Sequence, residues 1–382
     1  MQYRSFPGLD WKPSALGFGA MRLPVIGDDQ NNVDFPEAVR MIRYAIDHGV
    51  NYLDTAYFYH GGNSEKAVGL ALRDGYRDRI KLATKFPAWQ VKTRDDFDAA
   101  FEQQLERLQT DKIDFYLLHG LHPGGFERLR DLGIIPWLED NVARGRLEYL
   151  GFSFHGDYEY FTTIVDAYDN WTFCQVQYNY MDEDYQAGTR GVKYAAEKGL
   201  GIIVMEPLRG GRLTGRQTDL VAAAWKTAHA DRSPAEWGLR WVWSHPEVSF
   251  LLSGMSTMEQ VRENIDIADR AGNSVMTAED LALIDRVRQA YLNSMPIPCT
   301  GCRYCMPCPQ GVEIPRIFNI YSEMKMYGED RIARMRYTDD RHGLKPEQRG
   351  DNCIECWQCV DRCPQHLPIP EWLSHAHKEL EP

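Results

Sequence analysis

Eight short apolar stretches, each parted from the next by a segment with helical spacing, constrain this 382-residue chain most strongly. They read as strands at Leu16 to Leu23, in the stretch ending on Asp54, and at Ile80 to Phe86, Ile113 to His119, Tyr149 to Phe154, Phe173 to Tyr178, Gly201 to Met205 and Val248 to Ser253. Helical spacing fills the intervals: Phe35 to His48, Ser64 to about Asp74, Arg94 to Leu108, Ile135 to Ala143, Tyr160 to Ala167, 188–198, 218–244 and Met258 to Asp269. Ala278 to Ala290 reads as one more helix, and Asn63 or Ser64 as an N-cap. Strands alternating with helices predict an α/β fold with a parallel sheet, either a doubly wound sheet or a closed (β/α)8 barrel. The polar residues decide for the barrel, because Asp54, Lys85, His119, Ser153 and Gln177 all fall at C-terminal strand ends, where such barrels build their sites.

Those polar residues have complementary chemistry. A tyrosine is a poor acid at neutral pH, since a phenol ionises near pH ~10. An ammonium beside it lowers that value, and a carboxylate keeps the ammonium charged. Asp54, Tyr59 and Lys85 supply these three groups, and His119 could bind and orient a carbonyl oxygen that Tyr59 protonates. Singly, each has a plain alternative: a turn-capping Asp, a solvated Lys, a core Tyr, a hydrogen-bonded structural His. Tyr57 and His60 are close rivals of Tyr59 on chemistry alone. Gly17-x-Gly19 is followed by Arg22 where a dinucleotide fingerprint needs a third glycine, so it fails as a Rossmann signal.

At this point the chain resembles the aldo-keto reductase family. The matching segments are Asp54-Thr-Ala-x-x-Tyr59 with Glu65 following, Thr84-Lys85, Leu117-Leu118-His119, Gly151-Phe-Ser153, Gln175-Val-Gln177-Tyr-Asn179, Glu206-Pro-Leu208 and Glu263-Asn264. The resemblance covers roughly residues 1–290 and implies a TIM barrel that binds NADP or NAD without a Rossmann fold. It implies Asp54, Tyr59, Lys85 and His119 as a catalytic tetrad with Tyr59 as the acid. It also implies cofactor contacts at Gly19 and Met21, a carboxamide held by Ser153 and Gln177, and phosphates flanked by Pro207, Leu208, Gly210 and Gly211. Ser256, Gln260, Glu263 and Asn264 would lie around the adenosine end. Two departures stand against the pattern: Phe154 follows Ser153 where Asn is frequent, and Gln260 occupies a position where an Arg often holds the 2′-phosphate. Arg262 or Arg209 are the candidates to replace that charge.

Eight of the nine cysteines lie after residue 298. Cys353, Cys356, Cys359 and Cys363, followed by Pro364, have the bacterial ferredoxin spacing. Cys299, Cys302, Cys305 and Cys308 repeat it one residue short. In two-cluster ferredoxins the fourth cysteine of each run ligates the other cluster. That predicts two 4Fe–4S clusters, one held by Cys299, Cys302, Cys305 and Cys363 and the other by Cys353, Cys356, Cys359 and Cys308. Uncrossed ligation, a single cluster and structural zinc are the alternatives. The 44 residues between the runs (309 to 352) include helical material such as Ile317 to Met326, so the tail resembles an α-helical ferredoxin module. Domains are therefore expected at 1–294 and 295–382, and Cys174 reads as a small buried hydrophobe.

A net charge of −12 disfavours nucleic acid and anionic membranes as partners, and no apolar run approaches the length of a membrane span. The reading is a cytoplasmic oxidoreductase acting on a small carbonyl or alcohol, with a small redox protein as a further partner for the clusters. The alternatives are a ferredoxin-linked oxidoreductase fed by the clusters, and an electron-transfer or redox-sensing protein without reductase activity.

Overall fold

The computed structural model describes residues 1–382 except positions 28, 122, 123, 216, 274, 300, 302, 304, 340–342, 364 and 382. Eight parallel strands close into a barrel in sequence order: β1 (Leu16–Gly19), β2 (Tyr52–Asp54), β3 (Lys81–Phe86), β4 (Ile113–Leu121), β5 (Leu147–Phe154), β6 (Phe173–Gln177), β7 (Gly201–Met205) and β8 (Phe250–Gly254). The expected barrel is therefore present.

Side chains alternate between two faces along a strand, so one interior residue fixes the rest. Tyr52, Ala83, Phe115, Leu117, Phe173, Ile203, Phe250 and Leu252 form one buried cluster inside the barrel. Counting on in twos from them reaches Asp54, Lys85, His119, Gln177 and Met205 toward the C-terminal ends. Register agrees: Gly19 pairs with Asp54, Asp54 with Ala83, and Lys85 with Leu117. The N-terminal end is plugged by Phe6, which packs edge-on against Phe115 at 5.8 Å. A Cβ on Gly201 would come within 2.1 Å of the Phe6 ring, so this position tolerates no side chain.

Several sequence expectations need correction. The first strand ends at Gly19 and turns into a 3-10 segment, Ala20–Arg22, rather than running to Leu23. β4 continues to Leu121, so His119 sits two residues before its end. The stretch 218–244 is two helices, Asp219–Trp225 and Pro234–Trp243, because Ser233 caps the second and Pro234 begins it. The helix Asn63–Ala71 has left-handed Gly62 at its N-cap, not Asn63 or Ser64. Ser64 instead donates to the Ala20 carbonyl at 2.8 Å, tying this helix to the end of β1. A helix at Gly125–Asp131 has no counterpart in the sequence reading.

Compactness divides the chain into two units: Met1–Gly211 with Arg232–Thr277, and Arg212–Asp231 with Ala278–Pro382. The first unit contains the barrel. In the second, helices Ile314–Tyr327, Asp330–Thr338 and Ile369–Leu380 share a core of Ile317, Phe318, Tyr321, Tyr337, Leu373 and Leu380, among others, with cysteines packed at its edge. Arg212 bridges Glu323 at 3.1 Å and Glu329 at 2.9 Å within this unit. Among the described residues no helix is long and apolar enough to cross a membrane.

Candidate functional site

The C-terminal end of the barrel gathers the four residues of the acid–base set. Lys85, 1% exposed, places Nζ 2.6 Å from Asp54 Oδ1 and 2.8 Å from the Thr55 carbonyl. The same Nζ lies 3.4 Å from the Tyr59 hydroxyl. The His119 ring meets the Tyr59 ring edge-on at 5.9 Å. The rivals of Tyr59 are committed elsewhere. The Tyr57 hydroxyl donates to Gln103, with Arg107 4.4 Å over its ring, and His60 Nδ1 bonds the Gln30 carbonyl.

Local structure explains how Tyr59 reaches Lys85. After β2 the chain enters a 3-10 turn, Tyr59–Gly62, with His60, Gly61 and Gly62 all at positive φ. Gly62 is required there, since a Cβ would lie 2.7 Å from the Arg107 guanidinium carbon. Arg107 in turn pairs at 3.1 Å with Glu65, which is fully buried. Glu65 also accepts from Thr84 at 2.7 Å and Gln104 at 2.9 Å. Thr84 precedes Lys85, so this buried network locks the tyrosine turn to the lysine strand. Gln104 and Arg107 escape a sequence reading, because each acts through Glu65, 39 and 42 positions away in the chain.

The electrostatics follow from burial. Burial alone would lower the Lys85 ammonium, but the adjoining Asp54 charge, with Tyr59 assisting, holds it above its ordinary value. Burial pushes the Asp54 carboxyl up against the pull of Lys85. Burial also raises the Tyr59 phenol, with Lys85 opposing. The sequence reading expected a lowered phenol; desolvation outweighs the ammonium. Tyr59 therefore stays protonated through the neutral range. His119 is driven well below the ordinary imidazole value by burial, then by Lys85 and His155. It is a neutral ring at neutral pH, and its buried Nδ1 has no partner among the described residues.

The expected cofactor residues line the adjoining strand ends. Ser153 Oγ accepts from the Gly120 amide at 2.8 Å, leaving its own proton free to donate. Gln177 donates to buried Asp182 at 2.7 Å and accepts from Gln186 at 3.2 Å. Asp182 also pairs with Arg209 at 3.3 Å. After β7, Gly210 and Gly211 are both left-handed, and a Cβ on Gly211 would meet open space, as a cradle for a ligand needs. Ser256 donates to the Arg22 carbonyl at 2.9 Å, and its amide donates to Gln260 at 2.8 Å. Asn264 donates to Ser253 at 2.8 Å, while Glu263 accepts from Ser233 at 2.9 Å. Gly19 ends β1, Met21 is 55% exposed just beyond it, and Pro207 and Leu208 lead into the Gly210 turn. Arg262 faces the Tyr44 ring at 5.6 Å, so neither of the two substitutes for a phosphate-binding arginine is idle.

In the second unit the described cysteines line two cavities. One is lined by Cys305, Cys308, Cys353, Cys356 and Cys359, together with Ile354 and Trp357. The other is bounded by Cys299, Cys305 and Cys363, with Phe318 and Ile369. Cys302 lies outside the described residues. Cys308 thus lines one cavity with Cys353, Cys356 and Cys359, which lie far from it in the sequence. Among the described residues, no three His, Cys, Asp or Glu side chains converge tightly enough for a single metal ion. The described thiols gather in two groups, with Cys305 common to both. Cys174 is fully buried, and burial raises its thiol to about 12, so it is inert.

A parallel barrel with a buried Asp–Lys pair beside a half-buried Tyr and His at its C-terminal end, in a chain that also carries a cysteine-rich unit, defines a class of two-part oxidoreductase. The match to the aldo/keto reductase family spans residues 15–289, and the chain belongs to that family. Residues 298–367 match a 4Fe-4S dicluster domain. The chain is 26% identical over 316 residues to L-galactose dehydrogenase of Arabidopsis thaliana, covering 77% of this chain and 96% of that relative. It is 28% identical over 263 residues to methylglyoxal reductase YeaE of Escherichia coli, covering 66% and 84%. Among solved structures, aldo-keto reductase AKR11C1 of Bacillus halodurans in its holo form superposes with a TM-score of 0.61 at 27% identity, covering 75% of this chain and 96% of that one. An aldo-keto reductase of Klebsiella pneumoniae in complex with NADPH gives 0.61 at 25% identity, with the same coverage.

The buried neutral state of His119 has a consequence for stability. Its folded pKa lies below the unfolded value of about 6.5, so as pH falls through that value the unfolded chain gains a proton that the folded chain refuses. Stability is then lost on the acid side. His119→Asn is expected to show a smaller drop in melting temperature between about pH 7.5 and 5.5 than the parent chain. An equal drop would show that His119 is not held neutral by the fold.

Proposed function

We propose that the barrel reduces a small aldehyde or ketone, or oxidises the corresponding alcohol, by hydride exchange with NADP(H), and that Tyr59 is the acid. The observation that carries this reading is the Lys85 ammonium, 2.6 Å from Asp54 and 3.4 Å from the Tyr59 hydroxyl, beside the neutral imidazole of His119. The nicotinamide, when bound, supplies the hydride. Tyr59 gives its hydroxyl proton to the carbonyl oxygen as hydride reaches the carbon, so the product is a neutral alcohol. Lys85 stabilises the tyrosinate left behind, which water reprotonates. His119 donates a ring N–H to the same oxygen and fixes its position. Oxidation runs the sequence in reverse.

Ser153 and Gln177 would hold the carboxamide, and the turn from Leu208 to Gly211 the diphosphate. NADP is preferred because related aldo-keto reductases are solved with NADPH or with NADP and acetate. The names of the relatives, a galactose dehydrogenase and a methylglyoxal reductase, keep the substrate within small carbonyls and alcohols. In the second unit two 4Fe–4S clusters are ligated crosswise, one by Cys299, Cys302, Cys305 and Cys363, the other by Cys308, Cys353, Cys356 and Cys359. Two observations support this set: Cys308 lines one cavity with the later run, and Cys363 lines the other with Cys299 and Cys305, the cysteine common to both cavities. A cluster passes one electron and a hydride carries two, so the clusters exchange electrons with a small redox protein, sense redox state or brace the unit, outside the hydride step.

Tyr59→Phe is expected to lower carbonyl reduction by roughly 10²- to 10⁴-fold, the usual worth of a positioned acid, with NADPH affinity nearly unchanged. Retained turnover would remove Tyr59 from the role. For the clusters, Cys308→Ser and Cys356→Ser should perturb the same electron paramagnetic resonance signal, and Cys363→Ser the other. If Cys308→Ser and Cys299→Ser share a signal instead, ligation is not crossed.

A further inference from the structure

The side chain of Arg22 is an exposed cation without a partner among the described residues, although the chain carries a net charge of −12. Among the described residues no carboxylate pairs with its guanidinium, and no carbonyl accepts from it. Most other arginines around the barrel are spent: Arg209 on Asp182, Arg107 on Glu65, Arg240 and Arg270 on Glu236. An unpaired guanidinium retains five N–H donors in a planar fork, suited to carboxylate or phosphate oxygens.

Its position is fixed at both ends. The backbone sits at the close of the 3-10 segment Ala20–Arg22, where its carbonyl accepts from Ser256 at 2.9 Å. The stem crosses the last residue of β8, since a Cβ on Gly254 would lie 3.2 Å from Arg22 Cγ and Cδ. The tip reaches the turn after β7, because a Cβ on Gly210 would lie 2.8 Å from Arg22 Nη2. Glycine at 254 and 210 thus clears the path of one side chain across three strand ends. Gly210 and Gly211 are left-handed and leave open backbone beneath the guanidinium.

We infer that Arg22 grips the diphosphate of the dinucleotide against the Gly210–Gly211 turn, contributing phosphate affinity that Gln260 does not supply. The inference rests on the nicotinamide reading of the barrel and adds a residue to it. Because both NADPH and NADH carry the diphosphate, Arg22 serves both and does not select between them. A guanidinium–phosphate pair forms up to two parallel charge-assisted hydrogen bonds, which lysine reproduces only in part.

The full-length, cluster-loaded protein and its Arg22→Met and Arg22→Lys variants would be titrated with NADPH and NADH, by tryptophan quenching or calorimetry. Arg22→Met is expected to raise both dissociation constants by a similar factor, roughly ten- to a hundredfold. Its affinity should depend less on salt than that of the parent, and Arg22→Lys should fall between. An unchanged melting temperature separates this from misfolding. Loss confined to NADPH would assign Arg22 to the 2′-phosphate and overturn the inference, as would unchanged affinity for both. If the parent protein binds neither dinucleotide, the nicotinamide reading falls first; if it binds both and Arg22→Met binds equally well, only the role of Arg22 falls.

Discussion

A charged ammonium buried inside a barrel is tolerable only beside a charge of opposite sign, and Lys85 depends on Asp54 for this. Removing one member of such a pair typically costs about 3–5 kcal/mol, because the other is left buried and unpaired. Much of the surrounding structure serves this pair. Thr55 supplies a second acceptor to Lys85, and the Glu65, Gln104 and Arg107 network fixes the strand and turn on either side. Tyr59 approaches the ammonium without hydrogen-bonding it tightly, at 3.4 Å, so the phenol remains an acid rather than a resident tyrosinate. Burial keeping Tyr59 protonated and Lys85 ready to receive the developing charge are two halves of one device.

Much of this was legible in the sequence because a parallel barrel repeats one rule eight times. Strands with period-2 alternation fix which residues point inward, and the C-terminal ends collect the polar ones. Asp54, Lys85 and His119 could be picked out by that rule alone, whereas Tyr59 was set apart from Tyr57 and His60 only by the family resemblance, and the physical reason came with the fold. The difference lies in what surrounds each ring, Gln103 and Arg107 around Tyr57 and the Gln30 carbonyl at His60. The lowered phenol expected from Lys85 was likewise out of reach, since desolvation is a property of everything packed around Tyr59. Helix ends misled where a tertiary bond competed with a local one: Ser64 looks like a cap but spends its hydroxyl on Ala20.

The cysteine-rich unit was legible from spacing, because thiolates that wrap a cuboidal cluster need fixed intervals. The same spacing led to the expectation that Cys308 meets the later run, and in the fold Cys308 lines a cavity with Cys353, Cys356 and Cys359. Arg22 illustrates the opposite case. It breaks a dinucleotide fingerprint, which removes one kind of phosphate site from the sequence. In the fold its side chain lies across the glycine turn after β7, where a different phosphate site can form.

The central claim is that the Lys85 ammonium, held charged by Asp54, draws down a Tyr59 phenol that burial alone would push still higher. The most direct measurement is a pH titration of ¹³C-ring-labelled tyrosine by nuclear magnetic resonance, in the parent chain and in Lys85→Met, with the Tyr59 signal assigned from Tyr59→Phe. Titration of Tyr59 at a higher pH in Lys85→Met than in the parent chain is the predicted result. An equal or lower value would show that Lys85 does not set the acidity of Tyr59, and the account of the site would be wrong.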